Sequence, residues 1–267
     1  MTAIAVTIAG SDSGGGAGIQ ADLKSFSANG VYGASVLSAL TAQNTLGVSA
    51  IHDVPPEFIR AQMDAVYSDL KVCATKIGML SVPAAIEVVA GGLDAHETGP
   101  IVLDPVMVAA SGDPLLADEA VEVLIETLLP KANLVTPNLH EAARILNCAV
   151  AQNERDMLVQ AEKLQKLGAQ TVLLKGGHGD SPESTDLLVG PSVVAWYRAP
   201  RLDTRNTHGT GCTLSSAIAA GLAKGLPLDE AVPQAKDYIS AAIAAADTLE
   251  IGAGHGPVHH FYDFWRS

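Results

Sequence analysis

The sequence predicts an α/β protein built on a central, mostly parallel sheet flanked by helices. Three observations carry that expectation. Short apolar runs alternate with helix-like stretches from end to end. The runs are almost continuously apolar rather than alternating, as in strands buried on both faces. Most of them end in glycine or polar loops, which a parallel sheet gathers along one edge. The chain has 267 residues, 48% of them apolar, which is enough to bury a large core. No Pro/Ser-rich linker, low-complexity block or fixed-period repeat divides it, so one domain over 1–267 is expected.

Ala3 to Ala9 reads as a first strand stopping at Gly10, followed by a loop from Gly10 to Gly18. From Ile19 the spacing Ile19, Leu23, Phe26 places an apolar stripe on a helix that Asn29-Gly30 closes. Pro55-Pro56 opens a second helix through Ile59, Met63, Val66 and Leu70, and a strand follows near Ala74 to Ile77. Ile101-Val102-Leu103 precedes Asp104-Pro105, and Asn133-Leu134-Val135 precedes Thr136-Pro137-Asn138; each strand delivers polar residues at its end. Met157, Ala161 and Leu164 with Gly168 mark another capped helix before the strand Thr171 to Leu174 and Lys175-Gly176-Gly177. Asp186 to Val189 and Val193 to Tyr197 read as a hairpin. Leu214 to Ala220 is a small-residue helix. The strand-end loops should therefore converge, bringing Asp104, Asn138, Glu141, Lys175 and Cys212 around a ligand.

A formal charge of −13 argues against nucleic-acid or anionic-membrane partners, which the summed field would repel. An anionic ligand must instead be held locally, by loop amides, helix N-termini and single lysines. Cys73, Cys148 and Cys212 lie far apart with no C-x-x-C spacing, so no disulfide scaffold or zinc knuckle is indicated and a reducing cytosol fits. Cys73 and Cys148 read as core residues. The start, Met1 to Ala9, lacks a basic end and is too short to span a membrane.

Ser11-Asp12-Ser13-Gly14-Gly15-Gly16-Ala17-Gly18 is not a Walker A loop. Gly16-x-Gly18-x-x-Ala21 meets the degenerate dinucleotide pattern, but no acid stands about 20 residues on to hold a ribose. Thr207-His208-Gly209-Thr210-Gly211-Cys212 runs straight into a helix whose free N-terminal amides can face a migrating phosphoryl group. Gln43 reads either as a strand-end amide satisfying backbone or as a donor–acceptor pair. Asn138-x-x-Glu141 reads either as a capping box or as two oxygen ligands orienting Mg2+ through water. His255, His259 and His260 lack the thiolates or carboxylates that would complete a zinc site, and a C-terminal segment folded on the domain is the simpler reading.

Val6 to Asp22, Leu40-Thr41-Ala42-Gln43-Asn44, Asp104-Pro105-Val106-Met107, Leu174-Lys175-Gly176-Gly177-His178 and Gly209-Thr210-Gly211-Cys212 together resemble the hydroxymethylpyrimidine/phosphomethylpyrimidine kinases. The resemblance implies a ribokinase-like three-layer fold in which ATP and a small pyrimidine meet at the carboxyl edge of the sheet, with Mg2+ as cofactor, cytoplasmic location and a homodimer. It implies that Gln43 reads the aminopyrimidine, with Gly10, Asp22, Met79 and Val106 completing the pocket. It implies too that Asp104, Asn138, Glu141, Lys175, Thr207 and Thr210 hold Mg-ATP, Asn138 and Glu141 reaching the metal through water. Gly209, Gly211, Cys212 and Lys175 then carry the transfer.

Cys212 departs from the wider ribokinase-like superfamily, which commonly has an aspartate base there. A thiol with a pKa of about 8.5 is a weak base at neutral pH. A phosphate acceptor needs none, since its second pKa is about 6, and it would be repelled by a carboxylate. Competing expectations are a pyridoxine or pyridoxal kinase, a non-catalytic pyrimidine sensor, and an NAD-linked dehydrogenase.

Overall fold

The computed structural model describes residues 2–108, 115–177 and 182–265. The chain runs β1 (Ile4–Asp12), α1 (Gly18–Ala28), β2 (Tyr32–Asn44), β3 (Gly47–Asp53), α2 (Pro56–Asp69), β4 (Ala74–Ile77), α3 (Pro83–Ala95) and β5 (Ile101–Leu103). It continues through α4 (Asp118–Thr127), β6 (Leu134–Val135), α5 (Leu139–Ile145), α6 (Glu154–Lys166) and β7 (Val172–Lys175). The last elements are β8 (Glu183–Gly190), β9 (Val193–Pro200), α7 (Thr210–Ala223) and α8 (Leu228–Ala244). Among the described residues the strands form one sheet in the order β3-β2-β1-β4-β5-β6-β7-β8-β9. Neighbours from β2 through β7 are parallel, and antiparallel partners stand at both edges.

Strand periodicity divides the apolar side chains between two cores. Val6, Ile8, Leu103 and Val135 face one, where Ile59 of α2, Ile86 of α3, Leu124 of α4, Ala142 of α5 and Leu164 of α6 pack. Ala5, Val102 and Leu134 face the other, under Phe26 of α1, Ile218 of α7 and Ile239 of α8. The result is three layers, helices on both faces of a mostly parallel sheet. The chain leaves β1 toward β2 and leaves β4 in the opposite direction, toward β5. A crevice therefore opens beyond the carboxyl ends of β1 and β4, the place where ligands bind in such sheets.

Three expectations are corrected. The first strand does not stop at Gly10: β2 is 13 residues long and keeps pairing with it through Ser11↔Leu40 and Asp12↔Thr41, past a register shift between Ala9 and Ser11. Gly10 thus lies inside a strand, opposite a bulge at Ser38-Ala39 of β2, and the loop is shorter. The β2–β3 hairpin has no counterpart in the sequence reading, because β3 lies at the edge with no buried residue and no buried periodicity to detect. Cys148 is exposed and Cys73 half-buried rather than in the core, while all three cysteines are free. Cys148 follows the end of α5, beyond its last core residue Ile145. His178, part of the quoted motif, lies outside the described residues. Among the described residues no helix is long and apolar enough to cross a membrane.

Candidate active site

A cavity of ≈ 770 Å³ occupies the crevice. Asp12, the last residue of β1, organises its near wall. Its carboxylate accepts N–H from Gly14 (2.8 Å), Gly16 (3.0 Å) and Ala17 (2.8 Å), folding the first glycine loop around itself. It also takes His208 Nε2 at 2.8 Å, from the second glycine loop. Burial would raise the Asp12 pKa, but His208 and the loop amides outweigh it and hold the carboxyl below the usual range. The two loops touch through backbone. Gly209 has φ +80, and a Cβ there would run into the Gly16 carbonyl, so this approach requires glycine.

Gly209 is also the N-cap of α7. Thr213 N–H makes its bond to the Gly209 carbonyl at 2.8 Å, so the N–H groups of Gly211 and Cys212 precede the intrahelical ladder. Thr207, Gly209, Thr210, Gly211 and Cys212 all line the cavity, giving an anion-binding turn at a helix N-terminus. Burial pushes the Cys212 thiol up to about 11, with Asp22 and Asp104 adding to the rise and Lys76 and the Gly18 N–H opposing it. The thiol is neutral at pH 7.

Beneath that turn lie the charges. Lys175 was expected in the loop after the strand Thr171 to Leu174. It is instead the last residue of β7, with its side chain 12% exposed and Nζ 2.7 Å from Asp104 Oδ1. Asp104 follows β5 and is fully buried, accepting also from Thr136 Oγ1 at 3.1 Å and Ser215 Oγ at 3.3 Å. Burial opposes both charges, yet each partner holds the other ionised, Asp104 below and Lys175 above its ordinary value. A Cβ on Gly211 would stand 3.2 Å from Lys175 Nζ, which places the ammonium directly under the anion turn.

Asn138 and Glu141 make the capping box of α5. Asn138 Oδ1 accepts from Glu141 N–H at 2.9 Å, and Glu141 Oε2 accepts from Asn138 N–H at 2.7 Å. Both residues nonetheless line the cavity. Burial pushes the Glu141 carboxyl up to about 7; Lys175 opposes this and Asp104 reinforces it. Among the described residues no group of three or more His, Cys, Asp or Glu side chains could hold a metal by itself. The donors fit an ion that keeps its waters and is bound chiefly by substrate phosphates.

Gly10, Gln43, Met79 and Val106 also line the cavity. Met79 and Val106 join Ala39 and Leu115 in a small apolar cluster. Ser13 clasps the Gln43 backbone, its hydroxyl bonding the carbonyl at 2.7 Å and the N–H at 2.8 Å. Thr41 Oγ1 lies 3.1 Å from Gln43 Oε1 and 2.8 Å from the Ser11 carbonyl, while Gln43 Nε2 lies 3.5 Å from His208 Nε2.

Asp22 is the exception. It was expected to complete the pocket, but it is fully buried below the cavity floor. Lys76 Nζ takes both its oxygens at 2.9 Å, Ser216 Oγ donates at 2.6 Å and Thr7 Oγ1 at 2.6 Å. Its acceptor capacity is met inside the protein. Thr7 and Lys76 lie on strands next to each other and point to the α1–α7 side, which is why this cluster forms there.

Sequence reasoning missed His208, Lys76, Ser215 and Ser216, and quoted Asp12 without a role. Lys76 had a signal, a lysine inside an otherwise buried strand. His208 had none, since its partner is 196 residues away.

The C-terminal segment closes the near wall. His255 N–H donates to the Thr45 carbonyl at 2.9 Å, His208 N–H to that of Gly256 at 3.0 Å, and Val258 N–H to that of His208 at 3.3 Å. His259 and His260 are buried against the domain, and His260 Nε2 lies 3.0 Å from Thr213 Oγ1.

The phosphomethylpyrimidine kinase family model matches residues 12–259. This chain belongs to the phosphomethylpyrimidine kinase family. The hydroxymethylpyrimidine/phosphomethylpyrimidine kinase of Rhizobium meliloti is 60% identical over 266 residues, covering 100% of both chains. Phosphomethylpyrimidine kinase from Clostridium difficile 630 superposes with a TM-score of 0.80 at 46% identity, over 90% of this chain and 99% of that one. The pyridoxal kinase of Staphylococcus aureus, solved with AMP-PCP and pyridoxal, superposes with a TM-score of 0.90 at 32% identity, over 99% and 96% of the two chains. The three-layer sheet is thus the ribokinase-like fold. In this member of the family the anion turn, Lys175 and the Gln43 amide with its apolar wall all line one cavity.

Proposed function

We propose that this kinase transfers the terminal phosphate of Mg-ATP to the hydroxymethyl oxygen of 4-amino-5-hydroxymethyl-2-methylpyrimidine. It then transfers a second phosphate to the monophosphate, supplying thiamine biosynthesis from the cytoplasm, as a single-domain subunit of a homodimer. The observation that carries this reading is the pairing within one cavity of a planar amide against an apolar wall with an anion turn over a buried lysine. An aminopyrimidine accepts at a ring nitrogen and donates from the adjacent amino group, and a glutamine amide matches that pair, as it does in reading adenine, for about 1–3 kcal/mol. The turn amides of Gly211 and Cys212, with Lys175, hold the migrating phosphoryl group; Thr207 and Thr210 border it. Asn138 and Glu141 orient the waters of Mg2+, which supplies charge neutralisation on the nucleotide phosphates.

A neutral thiol at Cys212 is a poor base and a harmless neighbour for an anionic acceptor, which suits a site that must take both an alcohol and a phosphate. Pyridoxal is a second acceptor to weigh, because pyridoxal kinase is a near structural neighbour. The deciding experiment incubates purified protein and Mg-ATP with the pyrimidine alcohol, its monophosphate and pyridoxal in turn. ADP release with both pyrimidines and a pyrophosphate product is the expected result. ADP release with pyridoxal alone overturns the reading.

A further inference from the structure

The anion turn has little with which to hold itself in place. Thr210 bonds back to the Thr207 carbonyl, from Oγ1 at 2.6 Å and from N–H at 3.2 Å, which gives the turn its shape but no fixed position. Position is what phosphoryl transfer demands, because the Gly211 and Cys212 amides must meet the moving charge to within about 0.5 Å. His208 ties the turn to its surroundings. Its Nε2 bonds the Asp12 carboxylate at 2.8 Å, its N–H donates to the Gly256 carbonyl at 3.0 Å, and its own carbonyl accepts from Val258 N–H at 3.3 Å. One support is therefore the first glycine loop, and the other is the C-terminal segment.

That segment hangs as a strap on the tip of the β2–β3 hairpin. Gly254 N–H donates to Thr45 Oγ1 at 3.2 Å, and His255 N–H to the Thr45 carbonyl at 2.9 Å. The approach requires glycine: a Cβ on Gly254 would stand 2.0 Å from the Thr45 carbonyl oxygen, and one on Gly256 would stand 2.2 Å from Asn206 Oδ1, just ahead of the turn. Thr45 lies two residues beyond Gln43, whose backbone Ser13 clasps at 2.7 and 2.8 Å, and Ser13 follows Asp12. The contacts close a ring, from Asp12 through Ser13, Gln43, Thr45, the strap 254–258 and His208 back to Asp12. Each member is held from both sides, so opening the ring at one link loosens the turn at another. Thr45, Gly254 and Gly256 lie outside the cavity lining, so they reach a reaction there only through other residues.

We propose that Thr45 and the strap 254–258 are positioning residues for phosphoryl transfer: hung on the β2–β3 hairpin, the strap sets the place of the anion turn through His208. Opening the ring from outside the cavity then costs turnover and leaves ADP binding nearly intact, because ADP lacks the phosphate that migrates. The inference rests on the reading above that this turn carries the transfer.

The test measures kcat from ADP release with the pyrimidine alcohol and, by calorimetry, the Kd for ADP, both on the full chain below its melting transition. Gly254→Ala drives the strap off Thr45, so kcat falls by about tenfold or more while the Kd for ADP stays within about threefold. Thr45→Val removes the Oγ1 acceptor at nearly constant shape and lowers kcat in the same sense, which keeps the idea testable if Gly254→Ala does not fold. Thr45→Ser keeps the acceptor and holds kcat within about twofold of the parent. Gly225→Ala is the control for lost stability alone. Its φ is +85, nothing stands within 4 Å of the added Cβ, and it lies past the far end of α7, so the melting temperature falls and kcat does not. A parent that releases no ADP with the pyrimidine overturns the transfer reading and the strap with it. With an active parent, the strap alone is overturned if folded Gly254→Ala and Thr45→Val keep kcat within about twofold, or if they lose ADP affinity as steeply as kcat.

Discussion

Lys76–Asp22 and Lys175–Asp104 are the same chemical pair on two strands, and they differ in what completes them. Lys76 and Asp22 are both 0% exposed, and Ser216 and Thr7 satisfy the carboxylate further. Lys175 is 12% exposed at the cavity floor; its carboxylate partner is shared with Thr136 and Ser215, and a second carboxylate, Glu141, stands near. Burial opposes the Lys76 ammonium, but Asp22, with Cys212 and Asp104 behind it, raises its pKa above the ordinary value. The difference teaches that burial of a charge does not mark a function. What marks it is a cation with an open side: Lys76 borders the cavity with no exposed surface, whereas Lys175 keeps exposed surface there, under the anion turn.

The comparison can be broken first at Lys76. Lys76→Ala strands Asp22 without a countercharge in a dry site and should lower stability by about 3–5 kcal/mol. A melting temperature lower by on the order of 10 °C reads this out. Equal losses in Lys76→Ala and Lys175→Ala would erase the distinction. Lys175→Ala should instead act on turnover, lowering kcat by about 10²–10³-fold, while its stability loss stays below that of Lys76→Ala because water can reach Asp104 from the cavity. Near-normal kcat with a strongly lowered melting temperature would make Lys175 structural as well.

Cys212 sits between the two pairs and reports their summed field. Its thiol is raised from 9.0 to about 11, so below pH 9 it is neutral in folded and unfolded chains alike. The folded state loses stability as pH rises from 9 toward 11, where only the unfolded chain ionises freely. Alkylation at pH 8 should therefore run roughly 100-fold slower than at an ordinary thiol and keep accelerating up to about pH 11. Mass spectrometry of the modified peptides checks it; a plateau below pH 9 contradicts the field. The smallest expected effect sharpens the same point. Cys212→Asp adds a carboxylate near Asp104, which repels an anionic acceptor by about 4 kcal/mol per charge pair at 4 Å and an effective dielectric near 20. The second phosphorylation should then fall at least about tenfold further than the first, measured as kcat/KM on each acceptor. Equal losses would leave Cys212 a packing residue.

What could be read in the sequence follows from how local its cause is. β5, β6 and β7 were legible because strands buried on both faces write themselves as apolar runs, and α6 because its stripe and its capping glycine are adjacent in the chain. β3 was not, since nothing on it is buried. In the site, Lys175, Asp104 and the anion turn were legible as strand ends and a glycine loop. The depth of Asp22 was not, because it depends on Lys76 and Ser216, 54 and 194 residues away. The Asp12–His208 bond belongs to the same class. Such polar pairs leave no periodicity behind.

That separation has a consequence for how the molecule comes into being. The first glycine loop leaves the ribosome 196 residues ahead of its partner His208, and further ahead of the segment that holds Thr45 and His208. At roughly 5–20 residues per second, about 10–40 s pass between synthesis of Asp12 and of His208. Through that interval the Asp12 carboxylate and the loop amides face solvent, and β1 and β4 wait for the α7 layer that covers one side of them. Contacts this distant also slow the search for the native topology, since the chain must close long loops before any of them is rewarded. The nascent enzyme is therefore expected to need a chaperone or a low temperature longest while residues 206–258 are still emerging, and to become competent to bind ligand only once that segment is out.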